Sequence, residues 1–112
     1  MPPLLKKGIK TMTQLKGSQR KYLRGLAHSL KPVVSIGQKG ITDAVIRTID
    51  EALDTHELIK IQFLAFKEKE QKKELIERIE VENKCEVAGT IGHTAILFRQ
   101  HQDPEKRKIT IP

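Results

Sequence analysis

At 112 residues with 38% hydrophobic content the chain can bury one core and not two, and its single cysteine, Cys85, excludes an intrachain disulfide and the paired-cysteine metal spacings, which points to a reducing, cytoplasmic setting. No run reaches the roughly 18 apolar residues that span a bilayer or the apolar core of a signal peptide, so membrane functions are excluded and a soluble monomer is expected. The formal charge of +7 is unevenly placed: residues 1–40 hold nine Lys or Arg and no Asp or Glu, which leaves the rest of the chain slightly acidic and favours a polyanionic partner for the first third.

Residues 1–12, with Pro2 and Pro3 and no sustained period, read as a flexible basic N-terminal arm. From about Gly17 to Leu30, Tyr22, Leu23, Leu26, Ala27 and Leu30 recur at helical spacing on one arc. Arg20, Lys21, Arg24 and His28 fall on the neighbouring arc as a basic ridge. Like charges four apart and Gly25 in the helix interior both work against helix stability, Gly25 by about 1 kcal/mol relative to Ala, so a requirement other than helix stability selects these residues. Lys31-Pro32 ends the helix, because the residue before proline is pushed out of the helical region. The β-branched run "VVSI", 33–36, predicts a short buried strand.

After the turn Gly37-Gln38-Lys39-Gly40, the positions Val45, Ile46, Ile49, Ala52 and Leu53 mark a second helix with Thr42 as N-cap and Asp43 in its first turn. "HELIKIQFLAF", 56–66, alternates Ile59, Ile61, Phe63 and Ala65 with Lys60 and Gln62, the period of a strand. Strand, helix and strand in about thirty residues predict a parallel βαβ unit. The charged stretch 67–83 carries a narrow stripe of Leu75, Ile76 and Ile79, hence a third, largely solvated helix. "CEVAGTIGHTAILFRQ", 85–100, gives two β-rich runs around Gly92, an antiparallel hairpin. The expectation is an α/β fold, a single α-β-α-β-α-β-β domain over 13–100 with a four-stranded mixed sheet, and a loose polar tail over 101–112.

The GQKG turn sits between a strand and a helix start. Two glycines permit conformations and close approaches that a Cβ would obstruct, and they flank a lysine beside the amides and positive dipole of a helix N-terminus, where an anion is favoured. No third glycine completes a dinucleotide fingerprint, and no Gly-Lys-Ser or Gly-Lys-Thr completes a P-loop. What remains is the single-stranded nucleic-acid use of GxxG, in which the loop clamps a sugar-phosphate backbone as in KH domains.

Taken together, "QRKYLRGLAHSLKPVVSIGQKG", "HELIK" and the closing "IGHTAILFR" resemble the CRM domain, the chloroplast RNA splicing and ribosome maturation domain, in its bacterial stand-alone YhbY-type form, from about Leu15 to Arg99. The resemblance implies a fold similar to the C-terminal domain of translation initiation factor three with a KH-like GxxG loop. It also implies an RNA-binding ribosome assembly factor acting on precursors of the large (50S) subunit, with ribosomal RNA and ribosomal proteins as partners. The loop role falls on Gly37, Gln38, Lys39 and Gly40; the charge pattern adds Arg20, Lys21, Arg24 and Lys31.

Catalysis and cofactors are not expected. His28, His56, His93 and His101 are isolated in sequence, Cys85 opens a strand as a small buried hydrophobe, and no nucleophile–base pair assembles. With no Trp, and with Tyr22 and Phe63 assigned to the core, the base-stacking strands of an RRM are absent, so recognition leans on the RNA backbone. A second reading is a protein-interaction adaptor whose basic face docks an acidic ribosomal or GTPase partner.

Overall fold

The computed structural model describes residues 15–112; the expected arm over 1–12 lies outside them. Helix α1 (Gly17–Ala27) opens with the Gln19 carboxamide oxygen accepting the Lys16 N–H, and a turn through Leu30 follows it. Strand β1 (Pro32–Ile36) leads through the GQKG turn into α2 (Asp43–His56), where the Thr42 hydroxyl accepts the Val45 N–H at 3.2 Å and satisfies one of the helix's orphan donors. Strand β2 (Leu58–Phe63) precedes α3 (Lys69–Asn83), and β3 (Glu86–Ile91) and β4 (Thr94–Phe98) form the hairpin. Gly92 takes φ 59° at the first central position of the two-residue turn, which is why glycine stands there.

The sheet order is β1-β2-β4-β3, with β1 and β2 parallel and the other pairs antiparallel. One face packs against α2 and α3. Ile36, Ile59, Ile61, Phe63, Ala95 and Leu97 from the strands meet Ile49, Leu53, Ile76 and Ile79 from the helices. On the other face Leu23 and Ala27 of α1, with Leu15, cover Leu58, Ala88, Ile96 and Phe98.

Three expectations are corrected by how far α1 reaches. It packs mainly on β2, β3 and β4, and only Leu23 and Ala27 of its apolar arc are buried. Tyr22 and Leu26 stay 41% exposed, and Leu30 and Val33 are exposed as well. In the "VVSI" run only Ile36 is fully buried, because β1 is a sheet edge whose Val33 and Ser35 side has no helix packed over it among the described residues. An apolar arc reveals which side of a helix is apolar, but not how much of it a neighbour covers.

The segment after Arg99 is held rather than loose. Glu57, buried at φ 64°, accepts backbone N–H groups from His101, Lys108 and Ile109 at 2.6, 2.7 and 3.0 Å. A short 3-10 turn at Pro104–Lys106 follows its Asp103 cap, and Ile109 and Ile111 pack on the α1 side of the core. The period of two between these isoleucines is too brief to register as an element, and a single buried carboxylate far away in sequence does the anchoring.

Candidate nucleic-acid interface

The C-terminal end of β1 delivers the GQKG turn to the same end of the sheet as the connection after β2 and the β3–β4 hairpin. Gly40 N–H donates to the Gly37 carbonyl at 2.9 Å, closing a four-residue turn whose tip is Gln38 and Lys39, both exposed. The tip amides of Gln38 and Lys39 have no acceptor among the described residues. Two N–H groups and an ammonium therefore face solvent beside the start of α2, a donor set suited to a phosphate. The turn is backed firmly: Leu64 and Ala65 both donate to the Ile36 carbonyl, and the Phe66 ring lies under Gly40. Phe66 itself is held at φ 55°, an uncommon conformation for an aromatic residue.

The two glycines differ in why they are glycine. Gly40 has φ +71°, which an L side chain rarely adopts, so the turn itself requires it. At Gly37, φ is outside that region and an added Cβ would meet nothing within 4 Å. The fold has no need of a glycine there, whereas a ligand backbone approaching closely would.

The remaining sequence candidates divide. Lys31 precedes β1 and is exposed, roughly 20 Å from the turn at about 3.3 Å per strand residue, so an RNA touching both would run along the β1 edge. Lys21 is exposed on the outer face of α1, one turn from Gly25, whose missing Cβ likewise faces open space. Arg20 and Arg24 are instead engaged with β3. Arg20 bonds the Val87 carbonyl and pairs with Glu86 at 3.0 Å; Arg24 donates to the Ala88 carbonyl at 3.1 Å, its stem lying over Gly89, where a Cβ would come within 2.4 Å of Cδ. The ridge that looks uniform on a helical wheel is thus split: two arginines fasten α1 to the sheet edge, while Lys21 and His28 are exposed.

Sequence reasoning missed Lys72, whose ammonium reaches the Gly92 carbonyl at 2.8 Å and lies 3.2 Å from His93 Nδ1, and which adds a cation to the hairpin end of the sheet. Nothing local marks it among the three lysines of α3. It also assigned no role to Ser35, Lys60 and Gln62, although the alternation of "IKIQF" does place the last two on one face.

At the far end of the sheet a polar cleft is lined by Asp50, Asp54, Lys84, Arg99, His101 and Arg107. Its central charge is already engaged: Arg99 bonds Asp50 Oδ1, Asp54 Oδ1 and the Asn83 carbonyl at 2.8, 2.9 and 2.7 Å. Burial works to raise the Asp50 carboxyl, but the hydrogen bonds from Asn83 and Arg99 together with the Arg99 charge outweigh it and hold the group below its ordinary range. These contacts brace β4 against α2 and α3. Burial, with Glu80 nearby, pushes the Cys85 thiol up to about 12, which leaves it an inert part of the core. Among the described residues no three His, Cys, Asp or Glu gather where they could hold a metal ion, and no helix is long and apolar enough to cross a membrane.

Fold and turn together define a small α/β module that presents a rigid GxxG turn at one end of a mixed sheet. The model of the CRS1 / YhbY (CRM) domain matches residues 15–99, and the chain belongs to that family. It is similar to an RNA-binding protein of Haemophilus influenzae, 42% identical over 101 residues that span 90% of this chain and 98% of that one. It is also similar to a probable RNA-binding protein of Bacillus subtilis, 35% identical over 88% of this chain and 99% of that one. Among solved structures it superposes with TM-score 0.74 on a Staphylococcus aureus protein described as a candidate RNA binder, 33% identical over 88% of this chain and 100% of that chain.

Proposed function

We propose that this protein binds single-stranded RNA through the Gly37–Gly40 turn, without catalysing a reaction, and that the RNA is precursor large-subunit ribosomal RNA. The observation that carries RNA binding is Gly37, a glycine the backbone does not demand, beside Lys39 and two amides that have no acceptor among the described residues. Phosphates seated there would be neutralised by Lys39, and phosphates further along a strand that follows the β1 edge by the exposed Lys31, with Lys21 exposed on α1, while Arg20 and Arg24 act first by fixing α1. The names of the relatives support RNA as the ligand class. The assembly role is what the CRM resemblance implies for stand-alone bacterial members.

Sedimentation of cell lysate through sucrose at low and high salt tests the assembly role. Co-migration with large-subunit precursors that is lost as salt rises is the expected result; a protein that stays at the top of the gradient at low salt refutes it. Binding to purified single-stranded RNA should weaken with salt at a log–log slope of about −0.7 per phosphate neutralised.

One observation favours a protein partner in addition. Tyr22, Leu26, Leu30 and Val33 leave an exposed apolar strip where α1 runs into β1. A partner that remains bound after nuclease digestion would identify an adaptor role, which is compatible with the first.

A further inference from the structure

The α1 side of the sheet is covered on only part of its area. Residues facing that side alternate along the strands except at the bulge at Ala88 and Gly89, and α1 with Leu15, Ile109 and Ile111 packs over Leu58, Ala88, Ile96 and Phe98. Further along the strands no helix of the described residues packs over one complete row. Ser35 pairs with Gln62, Gln62 with Thr94 and Thr94 with Ile91, so four side chains stand side by side across β1, β2, β4 and β3. At about 4.8 Å between strands the row is roughly 14 Å wide. Ser35 and Ile91 are exposed, Ile91 by 60%, and Gln62 and Thr94 are half-buried.

The row begins two residues before Gly37 on the same strand, so it is continuous with the turn assigned to the RNA backbone. The segments that form and flank it, residues 16–42, 58–67 and 87–102, contain no Asp or Glu. Lys60 lies one pleat below on the same face, its ammonium 3.4 Å from the His28 carbonyl. A row whose own and flanking segments lack carboxylates, and which is bordered by lysines, suits the immediate neighbourhood of a polyanion. The side chains in the row are too short or too neutral to hold phosphates themselves, and are suited to the uncharged parts of the ligand.

Gln62 supplies the chemistry. Its amide donates one N–H to Ser35 Oγ at 3.1 Å, which fixes the side chain. One N–H and the carbonyl oxygen remain, a donor beside an acceptor, which is the arrangement that meets a base edge with two parallel hydrogen bonds, as on adenine. Ile91 and the Thr94 methyl offer aliphatic surface to a base face.

We propose that the Ser35–Gln62–Thr94–Ile91 row is the base-contacting surface for the RNA strand whose backbone is held at Gly37–Gly40, with Gln62 the residue that discriminates among bases. The inference rests on the reading of the turn as an RNA clamp, and the two can fail separately.

The test compares a short single-stranded oligoribonucleotide, oligo(A), with an abasic strand of the same length and charge, against wild type, Gln62→Ala and Gly37→Asp, each checked for folding by circular dichroism. In wild type, base removal should weaken binding on the order of 10-fold. In Gln62→Ala the intact strand should bind about as weakly as the abasic one, and in Gly37→Asp both strands should lose affinity together. Ser35→Ala, which frees the Gln62 amide, should lose part of the discrimination while leaving abasic binding unchanged. If wild type binds intact and abasic strands equally and Gly37→Asp still abolishes binding, the base-contacting row is refuted and the clamp stands. If wild type binds neither strand, the clamp is refuted and the row with it, and an acidic protein becomes the partner to seek.

Discussion

Replacing Gly37 and Gly40 one at a time by alanine separates what the fold needs from what the ligand needs. At Gly40 an alanine must adopt φ +71°, a left-handed conformation that costs an L residue about 1–2 kcal/mol; the Phe66 ring at 3.7 Å is an ordinary contact and adds nothing. At Gly37 an alanine meets open space in a backbone conformation it can adopt, so the reduced freedom of the unfolded chain should stabilise the fold by about 0.4–1 kcal/mol. For a domain of this size the expected melting shifts are roughly 4–12 °C downward for Gly40→Ala and 2–6 °C upward for Gly37→Ala. RNA affinity should move against stability at Gly37. A methyl group that keeps a phosphate from one tip amide forfeits a charge-assisted hydrogen bond of about 1.5–3 kcal/mol, a weakening on the order of 10- to 100-fold. Differential scanning fluorimetry and fluorescence anisotropy on the same preparations read both quantities. A Gly37→Ala protein that is more stable and binds RNA as well as wild type refutes the argument that this glycine is kept for a ligand. One that melts as low as Gly40→Ala shows that the fold did need it.

Other expected outcomes concern the scaffold. Gly89→Ala should cost about 1 kcal/mol in the wild-type background, because Arg24 must swing off the sheet and give up its bond to Ala88, and almost nothing in an Arg24→Ala background; equal costs in urea titrations of both would remove the coupling. Burial, opposed by the Val87 backbone bond and reinforced by Glu86, raises the Glu80 carboxyl, so the folded state holds that proton more tightly than the unfolded chain and stability falls as pH climbs above the ordinary value of 4.5. Glu80→Gln keeps an acceptor for Val87 and should raise the melting temperature at pH 7, with the gain vanishing below about pH 4. Asp50 has the opposite sign: its carboxyl is depressed, so the stability it contributes is present above the ordinary value of 3.8 and is lost as pH falls further; an Asp50→Asn variant should therefore show a shallower loss of melting temperature in strong acid. Glu57→Ala leaves three backbone donors of the C-terminal segment without their acceptor, and trypsin should then cut after Lys106 and Arg107 markedly faster while the sheet stays protected from hydrogen exchange.

Local sequence suffices for the order and type of every element from Gly17 to Phe98, for the N-cap at Thr42 and for the hairpin at Gly92, because each is a matter of hydrophobic period, capping chemistry or backbone freedom. It also located the GxxG turn, since the glycines, the lysine and the helix start are adjacent in the chain. Only the packed fold shows which basic residues of α1 are tied down: Arg20 and Arg24 bond β3, more than sixty residues away. It decided as well that Tyr22 and Leu26 stay exposed, that Glu57 holds the C-terminal segment, and that Ser35, Gln62, Thr94 and Ile91 stand in one row. Each of these depends on sheet order, on register and on how much of the sheet α1 covers, and those are set by long-range packing that no local period records.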